Sequence, residues 1–107
     1  NIIAAMYAGW DLQRLAMDFP EVSRYTEVGP SVPVLPVTSD VLATATSEAL
    51  GLNYDTGEVK YDIIAQAAHG VCSVGPNPWE AYEHIERLEH ICEIALKSGI
   101  KPKRSKE

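Results

Sequence analysis

No apolar run in these 107 residues approaches the roughly 18 needed to span a bilayer, and no signal-peptide pattern opens the chain. No membrane partner is expected, and a cytoplasmic protein is the simplest reading. Phosphate-cradling glycine loops are missing too: neither Gly-x-Gly-x-x-Gly nor a Walker sequence occurs. Without a Gly-x-Ser-x-Gly elbow, a serine hydrolase pairing Ser73 or Ser39 with His69 has little support. The only two cysteines, Cys72 and Cys92, are too few for a disulfide framework, so buried free thiols are expected.

Basic side chains are scarce in the body of the chain. Residues 1–100 hold 14 acidic and 5 basic side chains, while the last seven residues, with four basic and one acidic, bring the net charge to −6. An acidic body argues against a nucleic-acid surface. The basic end, 99–107, is expected to be a solvated, disordered tail, with docking on a partner subunit as its alternative role.

What is present, 46% hydrophobic and 22% charged residues, fits one globular domain or part of one. The apolar start Ile2-Ile3-Ala4-Ala5-Met6 reads as helix with no cap before it. Residues 1–98 are therefore expected to form the C-terminal portion of a larger domain.

Ile2, Ile3, Met6, Tyr7 and Trp10 recur at helical spacing and predict one buried face. Leu12, Leu15, Ala16 and Phe19 predict a second short helix, stopped by Pro20. Pro30, Pro33 and Pro36 alternate with aliphatic residues, which predicts an edge strand or extended strap. A helix should follow Thr38-Ser39-Asp40 and end at Gly51. Residues 59–67 and 71–74 read as two strands, too closely joined for a crossover and hence antiparallel or one bent strand. Asn77, Pro78 and Glu80 predict a capped helix over 78–98, with Trp79, Tyr82, Ile85, Leu88, Ile91, Cys92 and Ala95 as its buried stripe. The expected class is α/β: a central mixed or antiparallel sheet, incomplete in this chain, between helices in three layers.

His69 is the chemically conspicuous residue. It ends an apolar strand next to Gly70, where an imidazole needs a hydrogen bond or a metal. Two readings stand: a core histidine bonded to a backbone carbonyl, or a metal ligand or catalytic base in a cleft. Cys72, three residues on, falls on the opposite strand face and reads as core. His84 and His90, six apart on one helix, read as solvated or interface histidines rather than a metal pair. Glu80, Glu83, Glu86, Glu89 and Glu93 read as the wet face of that helix.

Residues 62–75, followed by Pro78-Trp79-Glu80-Ala81-Tyr82 and Glu86-Arg87-Leu88-Glu89, resemble the class II aldolase/adducin family. The likeness to its L-rhamnulose- and L-fuculose-phosphate aldolases extends over about 1–98, because Asn1-Ile2-Ile3-Ala4 is similar to the helix after that family's His-x-His pair. The resemblance implies a zinc-dependent lyase, with another divalent cation as an alternative. It implies retro-aldol cleavage of a ketose phosphate through a zinc-stabilised enediolate. His69 would be the third metal-binding histidine, and the other two, the catalytic glutamate and the phosphate-binding residues would lie upstream. A homo-tetramer is implied as well. Within the same resemblance, an epimerase or dehydratase and a non-catalytic adducin-head-like assembly module are the rivals. Ala68 departs from the family pattern, which usually has Asn there.

Overall fold

The computed structural model describes residues 1–102. The expected tail at 99–107 therefore lies largely outside the described residues. Three short helices open the chain: α1 (Ile2–Tyr7), α2 (Leu12–Ala16) and α3 (Pro20–Tyr25). After an extended strap come α4 (Asp40–Leu50), a hairpin of β1 (Ile63–Gln66) and β2 (Gly70–Ser73), and the long α5 (Pro78–Lys97).

Local chemistry accounts for most of these boundaries. The Ser39 hydroxyl accepts the Leu42 N–H and starts α4. Gly51 ends it with φ +72°, and a Cβ there would come within 2.6 Å of the Lys60 Cβ. The Asn77 side chain accepts the Glu80 N–H at 3.0 Å and donates back to the Glu80 carboxylate at 3.0 Å, a reciprocal cap for α5. Pro20 does not stop a helix as the sequence reading expected. It occupies the first position of α3, where its missing N–H is no loss.

β1 and β2 pair antiparallel, from Ile63 opposite Ser73 to Gln66 opposite Gly70. On the other side of β1 the strap makes two isolated parallel bridges, Val28 to Ile63 and Val32 to Gln66. The strand expected over 59–67 thus shrinks to four residues, and the proline-rich segment touches the sheet at two points only. The outer margin of β2 pairs with nothing among the described residues.

The pleat of β1 divides the core. Ile63 and Ala65 pack with α1, α2 and α5 around Leu12, Leu88 and Ile91. Ile64 packs the opposite way with Val32 and Leu50, where residues of α4 and Cys72 join it. Fully burying side chains such as Leu88 and Ile91 contributes roughly 1.5–3 kcal/mol each. Helices and a small antiparallel sheet make this a mixed α/β fold.

Two stripes differ from the periodicity reading. On α1 the buried residues are Ile2 and Ala5, whereas Ile3 is half-exposed and Tyr7 is 95% exposed. On α5 the buried set is His84, Leu88, Ile91, Cys92 and Ala95. Trp79 and Tyr82, expected inside, are 78% and 56% exposed. The stripe is rotated so that a histidine takes the place of the first aromatics. No helix among the described residues is long and apolar enough to cross a membrane.

Candidate functional site

His69 stands in the hairpin turn between β1 and β2. The turn is tight: the His69 N–H donates to the Gln66 carbonyl at 2.9 Å, and Ala68 takes a left-handed backbone with φ +63°. That conformation suits Gly and Asn and is uncommon for Ala, so the turn carries a local cost just before the imidazole.

The ring is half-buried, and its Nε2 lies 2.8 Å from the Leu35 carbonyl oxygen. A carbonyl can only accept, so the proton sits on Nε2 and the hydrogen bond runs from ring to strap. Nδ1 has no hydrogen-bond partner among the described residues. It is not sealed in, because no buried side-chain nitrogen or oxygen there lacks a partner. The bond to a backbone carbonyl is the one the core reading of His69 expects.

Beside the turn lies a cleft of about 790 Å³, between α1, the strap and the hairpin. Its walls include Tyr7, Trp10, Pro30, Val34, Ala67 and Ala68. Asp11, Gln13 and Ser31 supply polar groups at its margin. His69 itself follows directly on the wall residues Ala67 and Ala68.

Among the described residues no group of three or more His, Cys, Asp or Glu side chains could hold a metal ion. Cys72 is half-buried in the second core cluster, and burial pushes its thiol up from the usual range, as befits a packing residue. Burial, assisted by the charge of Glu89, pushes the Cys92 thiol up to about 12. His90 is exposed, as expected.

His84 is not solvated, as sequence reasoning had it, but buried at 8% exposure. Its Nδ1 lies 2.7 Å from the hydroxyl of Thr26, itself 1% exposed. Arg87 donates to that same hydroxyl oxygen at 3.1 Å and to Glu83 at 3.1 Å. His84 Nε2 faces Asp62 Oδ1 at 3.8 Å, so the two ring nitrogens engage two different partners. Asp62 also accepts the Glu27 N–H at 2.8 Å. This network fastens α5 to the chain after α3 and to the entry of β1. The signal for it was present: His84 precedes Leu88 by four residues, so a stripe drawn back from Leu88 includes it.

The sequence profile described as the class II aldolase and adducin N-terminal domain matches residues 2–96. The chain belongs to this family. No curated protein and no solved structure matches it. The match to the class II aldolase/adducin family spans every helix and strand except the last residue of α5. It supports an aldolase-like reading at the level of the family, which includes lyases. Members are typically metal-dependent. Among the described residues no donor set fits such a group.

Proposed function

We propose that this chain is part of a divalent-metal-dependent, aldolase-like lyase acting on a sugar phosphate, and that His69 contributes one of its metal ligands. The observation that carries the reading is the His69 ring: Nε2–H is held by main chain, and the residue directly follows Ala67 and Ala68, which line a cleft. A neutral imidazole bonded through one nitrogen is the usual form of a metal-binding histidine. The match to a family that includes lyases supplies the reaction class.

In this reading, zinc or another divalent ion supplies Lewis-acid stabilisation of the negative charge that develops on the substrate's oxygens during carbon–carbon cleavage. The chain's own part is geometric. The strap holds the imidazole by its Nε2 proton, at a hairpin turn whose residues Ala67 and Ala68 line the cleft. Tyr7, Trp10 and Val34 form an apolar side of the cleft. The remaining ligands, and the glutamate that moves the proton, are assigned to residues outside 1–102. The β1–β2 hairpin is read as the middle of a three-layer α/β/α stack, consistent with Ile63 and Ile64 packing against different helices. A homo-tetramer is proposed on the family likeness.

The test is His69→Ala in the intact protein. Bound metal and retro-aldol activity should fall by at least the roughly 10–100-fold typical of losing even an outer partner of a metal ligand. Helical content should be retained. Unchanged metal content with lost folding would make His69 a core residue instead. Intact wild-type protein that takes up no divalent ion would favour an assembly module of the adducin-head type.

A further inference from the structure

We propose that α3 is a hinged flap: Pro20–Tyr25 opens as one unit while the rest of the fold stays shut, and the Thr26 hydroxyl is its latch. No residue of α3 is buried, and of its side chains Val22 alone packs against the first core cluster. Opening therefore bares little new apolar surface, and elements with few buried apolar contacts are the ones that open locally. Ser23 Oγ ties the helix to the end of α2 by donating to the Ala16 carbonyl at 2.8 Å. Both ends of α3 lie in non-helical backbone. Phe19 before it has φ −121° and ψ 86°, and Thr26 after it is extended at φ −139° and ψ 117°. Pro20 brings no N–H to the first junction, so fewer backbone bonds resist a turn there.

The closed position is fixed where α3 ends. Thr26 is 1% exposed, and its hydroxyl lies 2.7 Å from His84 Nδ1 and accepts from Arg87 at 3.1 Å. Both partners belong to α5, whose Leu88 and Ile91 are buried in the first core cluster. Arg87 also lies over the Tyr25 ring, 5.5 Å from its centroid. The long helix is thus the frame, and a single buried hydroxyl is where the flap engages it. What the flap borders is a cleft of about 480 Å³. Gln13, Arg14 and Met17 of α2 and its end line one side, and Ser23, Thr26 and Tyr61 line another. Swinging α3 away from α2 removes the Ser23 wall and widens the cleft along the end of α2. The closed state of this entrance depends on polar contacts, which water can replace, rather than on packing.

The experiment is native-state hydrogen exchange of the intact protein by NMR, repeated at several urea concentrations below the unfolding transition. The amides of Val22, Ser23 and Thr26 bond locally, to Phe19 O and Val22 O, and report the opening of α3. Their protection should be at least about a hundredfold below that of Leu88 and Ile91. It should also be nearly independent of urea, because a local opening exposes little surface. Thr26→Val should lower the α3 protection about tenfold further and keep it insensitive to urea. Thr26→Ser, which retains the hydroxyl, should stay within about threefold of the wild type. If the α3 amides share the urea slope and protection of Leu88 and Ile91, the helix opens only with the whole fold and the flap is overturned. Unchanged α3 protection in Thr26→Val would overturn the latch. Should Thr26→Val fail to fold, the wild type and Thr26→Ser decide: in either, a urea slope equal to that of Leu88 overturns the proposal.

Discussion

The Nδ1 of His84 and the hydroxyl of Thr26 are 2.7 Å apart, and they join α5 to the chain leaving α3. Helix α3 buries no residue of its own, so polar contacts carry much of its attachment. Arg87 adds to the joint by stacking over the Tyr25 ring at 5.5 Å from its centroid.

Thr26→Val keeps the shape of the side chain and removes the hydroxyl, which orphans His84 Nδ1 and one Arg87 donor. Stability in urea should fall by about 1–3 kcal/mol, the cost of leaving buried polar groups unpaired. His84→Ala should cost a similar amount, and the double variant should cost clearly less than the sum. Additive losses would show that the contact contributes nothing.

Ala68 offers the opposite sign. Its φ of +63° is a region where an L-residue with an ordinary Cβ is disfavoured by roughly 1–2 kcal/mol and where Gly and Asn fit better. Ala68→Gly and Ala68→Asn should both raise the melting temperature, Gly by less than the full strain because it adds entropy to the unfolded chain. A lowered melting temperature for both would mean that Ala68 has another conformation in solution.

Cys92 is fully buried, and its thiol is pushed up to about 12 by burial first and by Glu89 second. At pH 8 its thiolate population should be about a thousandfold below that of an ordinary cysteine, so alkylation of the native protein should reach Cys92 only through unfolding. Because the folded value is raised, this thiol supports the fold below about pH 8.5, and the support drains away as pH rises toward 12. Rapid stoichiometric labelling of Cys92 without denaturant would refute the placement.

These features were unequally visible in the sequence. Asn77, Pro78 and Glu80 announced the start of α5 because capping is decided within four residues. Ser39 and Gly51 bounded α4 for the same reason. Pro20 misled, since a proline marks a boundary without saying on which side the helix lies. Trp79 and Tyr82 misled because an aromatic at helical spacing fits either face, and only the packing of Leu88 and Ile91 against β1 chooses one. At the site, the place of His69 in a hairpin was legible, but its bond to Leu35 joins residues 34 apart and depends on the strap's path.

The sheet has two chemically unequal margins. One is bordered by Pro30, Pro33 and Pro36, which lack the donors a neighbouring strand would need. The other is Gly70-Val71-Cys72-Ser73, free of proline and of charge. An unguarded margin is a template for any extended peptide. Among the described residues the sheet can therefore be extended by a further strand along β2 and not along the strap.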